Sequence, residues 1–349
     1  MKVIDLFAGV GGLSEGFRQA GFEIALANDI DKQIASSYSL NHAKTKVINE
    51  DITALNISSV FAKYKSKVDI VVGGPPCQGF SQKGQRKTIN DDRNFLFKYF
   101  YRVIDKIRPK YILMENVPNL LTIENGYFKD EIVALFEKLG YALDAQVLNT
   151  VDFGVPQIRR RAFILGKLSK NPLRLPKGKI KQVTVRDAIS DLAYLSSGEG
   201  IETQKYTNKI QSQYQGLMRE GSKLLHNHVA TRHSKLALKR LSLIPVGKGK
   251  EVLPKEHLTK SIYSGTWCRM LWNEPSVTIT TRFDTPSSGR FTHPVLNRAI
   301  TVREAARIQS FPDTFIFYGI KTSQMKQVGN AVPPLLAKAI AEVIKRDIK

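Results

Sequence analysis

Cysteine is nearly absent from this sequence: Cys77 and Cys268 are the only two in 349 residues. Two thiols cannot build a disulfide framework or a four-ligand zinc site, and no metal site is expected; the scarcity fits a reducing cytoplasm. Long apolar runs are missing as well. No stretch approaches the roughly 18 consecutive apolar residues of a membrane span, and the N-terminus lacks the basic, apolar and small-residue succession of an export signal. No membrane association is therefore expected. Acidic residues are scarce too, with 31 Asp and Glu against 53 Lys and Arg and a formal charge of +22. Apolar residues are not scarce: at 42% of the chain they suffice for a core, which excludes disorder as the main state. At about 100–200 residues per domain the length predicts two domains.

The charge is unevenly placed. Between Val155 and Lys260, 22 Lys and Arg face 7 Asp and Glu, so under a third of the length carries +15 of the +22. A solvated basic face is the ordinary explanation of a charge excess, but this concentration favours contact with phosphates and points to nucleic acid. Aromatics are too sparse there to stack the bases of a single strand.

Short apolar runs at residues 2–7, 22–28, 46–48, 68–73, 111–115, 142–149 and 161–165 read as strands, most of them followed by turn residues and a helical pattern. The alternation predicts an α/β fold with a doubly wound, mostly parallel sheet. After about residue 166 the text becomes rich in Pro, Gly and Lys, which predicts a crossing into a second, smaller and less regular domain. A helical period returns at 301–310, and 335–348 reads as a final helix packing back on the sheet.

Ligands of open α/β sheets bind at the carboxyl ends of the strands, and the informative residues fall there. A glycine loop, Gly9-Val10-Gly11-Gly12, leaves the first strand and Asp29 ends the second. A loop of this kind lets backbone approach a ligand, and an acid at the second strand suits the two hydroxyls of a ribose. Ser14 stands where a dinucleotide fingerprint has its third glycine, so a tight turn with a solvated acid is the alternative. Cys77 sits in a stiff Pro75-Pro76-Cys77-Gln78-Gly79 loop between strand and helix, a setting that lowers a thiol's pKa and makes it nucleophilic; a bland turn is the alternative. Cys268 has no such setting and reads as packing. Glu115 ends an apolar strand that delivers its carboxyl into the cleft, where desolvation would let it hold and donate a proton; capping the next helix is its other reading. Arg159 and Arg161 follow Gln157 at alternate positions and would share one strand face, presenting two guanidinium forks, unless the segment is a plain basic edge strand.

Over nearly its whole length the chain resembles the DNA cytosine-5 methyltransferases, in particular the compact bacterial enzymes of restriction–modification systems. The resemblance rests on Asp5–Gly12, Asp29, Asp51-Ile52, Gly74–Ser81, Glu115-Asn116-Val117, Gln157–Arg161, the run from Arg303 to Pro312, and Gly329-Asn330-Ala331-Val332-Pro333-Pro334. Order and spacing together make it specific. It implies a Rossmann-like S-adenosylmethionine-dependent catalytic domain of residues 1–185 plus 322–349, a target-recognition domain of 186–297 and a hinge segment of 298–321. It also implies methyl transfer from S-adenosylmethionine to C5 of a cytosine flipped out of duplex DNA, through a covalent bond from Cys77 to C6. Glu115 would engage N3 and the exocyclic amine, Arg161 supported by Arg159 would hold the cytosine O2 and a phosphate, and Gln157 would orient that motif. For the cofactor the resemblance implies Phe7, Gly9, Gly11, Asp29, Ile30, Asp51, Ile52, Pro76, Leu96, Asn330 and Val332. For DNA it implies Pro75 through its carbonyl, Ser81, and Arg282 and Arg290 as guanine readers or phosphate contacts. The family commonly has Glu where this chain has Asp29, and an aromatic where it has Ile30. A monomer is expected, in a bacterial cytoplasm, with a cognate restriction endonuclease acting on the same sequence.

Three other readings compete. A tRNA cytosine-5 methyltransferase shares the Pro-Pro-Cys and Glu-Asn-Val elements, but neither cysteine here precedes the Phe-Thr typical of that branch. An NAD-dependent oxidoreductase would explain the glycine loop and leave Cys77, Glu115, the arginines and the charge unrelated. A DNA-binding protein without catalysis would have no use for Cys77 and Glu115.

Overall fold

Runs such as Ile70-Val71-Val72 are apolar at every position, so both faces of their strand must be covered, as parallel sheets under two helix layers require. The computed structural model, which describes residues 1–76, 95–259 and 265–348, bears this out. Strands β1 (Lys2–Leu6), β2 (Glu23–Asn28), β3 (Lys46–Ile48), β4 (Ile70–Gly73), β5 (Tyr111–Asn116), β6 (Tyr141–Asn149) and β7 (Arg160–Leu168) form one sheet in the order β3-β2-β1-β4-β5-β7-β6. All neighbours are parallel except β7, which is antiparallel to both β5 and β6. Val3, Ile4, Val71, Val72, Ile112 and Leu113 alternate in direction and are all fully buried. On one face, helix Phe95–Ile107 inserts Phe97, Phe100, Val103 and Ile104 among Ile4, Val71, Ile112 and Phe136. The final helix, Pro334–Ile348, packs on helix Gly12–Gln19 so closely that a Cβ at Gly16 would lie 2.4 Å from that of Ala337.

The chain divides into two compact units. The first comprises Met1–Asn149, Arg160–Gly178 and Pro334–Lys349, and the second comprises Thr150–Arg159 and Lys179–Pro333. In the first, the sheet order reverses between β1 and β4, so their loops part at the carboxyl edge and leave a crevice at that switch point.

The second unit has little regular structure: short helices, among them Val185–Ile189, Gln213–Arg219 and Val302–Ile308, and two paired strands of two residues each. Buried charge organises it. Arg298 makes two 2.7 Å bonds to Glu304, and Arg307 bridges Asp191 at 2.6 Å and Asp313 at 2.7 Å. Glu304 also closes a capping box with Thr301 at the start of helix Val302–Ile308. Burial alone would raise the Glu304 pKa; the Arg298 guanidinium outweighs it and holds the carboxyl well below the usual range. Such pairs are costly to break singly, because the partner is left as an uncompensated buried charge.

Candidate active site

The glycine loop after β1 is built for close approach. Gly11 has φ +95, and a Cβ there would lie 2.8 Å from the rings of Tyr38 and His42, so only glycine fits. Gly9 has φ +56 and nothing within 4 Å of where its Cβ would be, which leaves the space above it open to a ligand. Phe7 enters the loop at φ +54, a region uncommon for non-glycine residues, and packs half-buried against the core. Asp29, at the end of β2, accepts from the Gly9 amide at 2.8 Å and from the Asp31 amide at 3.0 Å; burial raises its pKa. Beside it Ile30 is 67% exposed, an aliphatic surface turned to solvent. After β3, Asp51 accepts from the Thr53 amide at 2.9 Å and Ile52 is buried. Leu96 is half-buried against the core, and Pro76 is exposed. An open loop, a carboxylate held at its rim and an exposed apolar residue fit a ribose-bearing cofactor.

Beneath this loop lies a group whose role the sequence does not signal. Asp5 is fully buried, accepts from Ser14 Oγ at 2.7 Å, and Ser14 accepts in turn from Tyr38 Oη at 2.6 Å. Burial, reinforced by the charge of Asp29, pushes the Asp5 pKa up to about 7. Between about pH 4 and 7 the folded chain therefore keeps a proton that the unfolded chain has released, so stability from this group falls as pH rises through that window and levels off above it. Asp5→Asn retains an acceptor for Ser14 and removes the titration. The stability of wild type relative to this variant is expected to fall by on the order of 4 kcal/mol from pH 4 to 8. Urea unfolding across that range reads it, and a difference that does not change with pH would refute it. His42, pushed down to about 4 by burial, slopes the opposite way but is common to both proteins.

At the next strand ends the structure brings Glu115, Arg161 and Pro75 together. Because β7 runs antiparallel to β5, Phe163 stands opposite Glu115, and Arg161, two residues along on the same face, places Nε 3.0 Å from Glu115 Oε1. The other oxygen, Oε2, lies 3.1 Å from where a Cβ of Gly74 would be, so the bare backbone of the Gly74-Pro75-Pro76 loop makes room for the carboxylate. Asn116 Nδ2 donates to the Pro75 carbonyl at 2.9 Å, tying that loop to the strand that bears Glu115. Cys77 and Ser81 lie outside the described residues.

Arg159 and Gln157 differ from expectation. Strand β7 begins at Arg160, so its alternation does not reach Arg159, which shares no strand face with Arg161. Arg159 is buried in the second unit, donating to the carbonyls of Ile279 at 3.0 Å and Gly329 at 2.9 Å. Gln157 is equally buried: Nε2 donates to Gln309 at 2.7 Å and Oε1 accepts from the Ile279 amide at 2.7 Å. Both anchor the segment around residues 276–279, whose Ser276 exchanges backbone bonds with Pro156 and Ile158. Asn330 is exposed at the end of helix Lys321–Asn330 and Val332 is buried, both in this unit. Arg282 is exposed, with Asp284 3.7 Å from its Nε. Arg290 is half-buried beside Cys268, whose thiol burial pushes up. Among the described residues no cluster of His, Cys, Asp and Glu could hold a metal ion, and no helix is long and apolar enough to cross a membrane.

Comparison with known proteins bears on the whole chain. A profile describing C-5 cytosine-specific DNA methylases matches residues 1–346. The chain is 40% identical to the Type II methyltransferase M.DdeI of Desulfomicrobium norvegicum, over 99% of this chain and 88% of that one. It is 38% identical to M1.HphI of Haemophilus parahaemolyticus, over 99% and 86%. Among solved structures, a candidate DNA modification methyltransferase encoded within an E. coli prophage superimposes with a TM-score of 0.78 at 28% identity, covering 99% of both chains. DNMT2 of Spodoptera frugiperda superimposes at 0.62 with 18% identity, over 100% and 99%, a likeness of fold.

Proposed function

The chain belongs to the C-5 cytosine-specific DNA methylases, and we propose how its residues divide that family's reaction among them. Family membership makes it an enzyme that methylates C5 of cytosine in DNA, agrees with relatives that are Type II methyltransferases, and leaves the oxidoreductase reading without support. Cytosine C5 is too electron-poor to attack a methyl group unaided. The Cys77 thiolate adds to C6 while Glu115 engages N3 and the exocyclic amine, so the new C–S bond pushes an electron pair toward C5. When bound, S-adenosylmethionine supplies the electrophilic methyl group. Transfer leaves S-adenosylhomocysteine; the C5 proton then passes to solvent as the C6–S bond breaks, which restores the aromatic ring and frees the thiolate. The observation that carries this reading is the Glu115–Arg161 pair at 3.0 Å, set over the bare Gly74 backbone three residues before Cys77.

Arg161 holds Glu115 in place and reaches for the cytosine O2. Arg159 and Gln157 act at one remove, by fixing residues 276–279. Phe7, Gly9, Gly11, Asp29, Ile30, Asp51, Ile52, Pro76 and Leu96 hold the cofactor, with Asp29 on the ribose hydroxyls and Ile30 against the adenine; Asn330 and Val332 complete that set. Extruding the base costs a few kcal/mol, offset by phosphate contacts from the basic middle of the chain. Arg282, Arg290 and Ser81, outside that basic stretch, contact DNA as well. Residues 186–297 read the target and 298–321 serve as hinge. The protein works as a monomer in the cytoplasm, beside an endonuclease that cuts the same unmethylated sequence.

Incubation with methyl-labelled cofactor and either duplex DNA or tRNA tests the substrate. Label is expected in DNA alone, at one sequence context that bisulfite sequencing identifies; label in tRNA alone would defeat the reading.

A further inference from the structure

Strand β3 is only three residues long and lies at the sheet edge, where its ladder with β2 ends at the pair Asn28–Ile48. The loops that follow carry Asp29 and Ile30 on one side and Asp51 and Ile52 on the other. Beyond that pair the Asp29 amide still donates to the Ile48 carbonyl at 3.3 Å, and two side-chain amides add to this bond reciprocally. Asn28 Nδ2 donates across to the carbonyls of Ile48 at 3.0 Å and Glu50 at 2.9 Å. Asn49 Nδ2 donates back to the carbonyls of Asp29 at 2.9 Å and Ile30 at 3.0 Å. Four side-chain bonds thus cross between the two loops where strand pairing stops.

We propose that Asn49 is a positioning residue for the adenosine end of the cofactor, clamping the Asp29–Ile30 backbone in reciprocal partnership with Asn28. The inference rests on the assignment of Asp29 and Ile30 to the adenosine under the proposed function. An aspartate side chain is short, so where its backbone sits decides where its carboxylate points, and Asp29 must meet the Gly9 amide and the Asp31 amide at once. Ile30 has little packing to hold it, being 67% exposed. Asn49 bonds both carbonyls; without it the Asp29 amide keeps its bond to Ile48 but the Asp29–Ile30 backbone loses two constraints that must be restored when the ligand binds, which weakens binding and leaves the chemical step alone.

Asn49 is exposed, so Asn49→Ala leaves the core intact. Loss of two neutral hydrogen bonds predicts roughly tenfold weaker binding of S-adenosylhomocysteine by calorimetry, with a matching rise in KM for S-adenosylmethionine. The kcat at saturating cofactor and DNA should be unchanged. Asn49→Asp, which turns two carbonyl-facing donors into an acceptor beside Asp29, should bind more weakly still. Adenosine alone should lose the same factor as the whole cofactor. An unchanged dissociation constant in both variants, or a fall in kcat with KM intact, would overturn the proposal. Asp29→Ala is the control for the underlying assignment: if it too binds the ligand normally, the adenosine reading fails, whereas weak binding in Asp29→Ala with normal binding in both Asn49 variants sinks the clamp alone.

Discussion

Cys77→Ser is expected to abolish methyl transfer, by on the order of a thousandfold or more, while duplex DNA still binds. The reaction begins with a carbon–sulfur bond to C6, and a hydroxyl at that position stays protonated near neutral pH. The described backbone that leads to this position is tied at Pro75, two residues before Cys77, whose carbonyl accepts from Asn116 at 2.9 Å. Labelled methyl transfer and gel-shift titration on the same preparation separate turnover from binding, and methylation at even a tenth of the wild-type rate would remove Cys77 from the mechanism. Duplex DNA with 5-fluorocytosine at the target adds a second reading. Fluorine at C5 blocks the final elimination, so wild type should remain covalently attached and the serine variant should not. Cys268→Ala is the internal control. That thiol sits half-buried against Gly249 and Arg290 in the second unit, and its removal should leave adduct formation unchanged.

Much of the first unit is legible in the amino-acid pattern, and the reason is physical. The central strands β1, β4 and β5 are short runs whose apolar residues are buried on both faces, so their limits are marked by the turn chemistry on either side. Ile70–Gly73 and Tyr111–Asn116 fall within two residues of their expected bounds. Pairing direction leaves no such mark. The insertion of β7 antiparallel between β5 and β6 is invisible in the hydrophobic pattern, yet it is what puts Arg161 beside Glu115. The second unit hides more. In the run from Arg303 to Asp313, the charged residues Arg303, Glu304, Arg307 and Asp313 are fully buried, where charge ordinarily marks a surface. Arg159 likewise reads as a ligand-facing fork and is an internal tie to two carbonyls. Asn49 gives no signal, because the carbonyls it grips carry no sequence identity.

The second large effect is expected at Glu115. Glu115→Gln keeps the shape of the side chain and an oxygen for Arg161 Nε, now 3.0 Å from the carboxylate, but an amide cannot pass a proton to N3. A positioned acid contributes about 10²–10⁴-fold in such a step, so kcat should fall by that factor while S-adenosylhomocysteine binds as in wild type, since the glycine loop and Asp29 are untouched. Addition of Cys77 to C6 needs the charge that builds on the ring to be met at N3, so trapping on 5-fluorocytosine DNA should slow in parallel with turnover. Glu115→Ala goes further by taking the carboxylate from a guanidinium that is only 19% exposed and that then keeps, among the described residues, just its bond to the Arg160 carbonyl, at a cost of about 1–3 kcal/mol. If Arg161 serves only to hold Glu115, the alanine variant should be no slower than the glutamine variant. If Arg161 also grips the cytosine O2, releasing it from its partner should weaken binding of DNA containing an extruded cytosine, and the alanine variant should show the higher KM for DNA. Near-normal turnover in Glu115→Gln would mean that the ring is activated without proton donation from this residue, and that the carboxylate over Gly74 is structural.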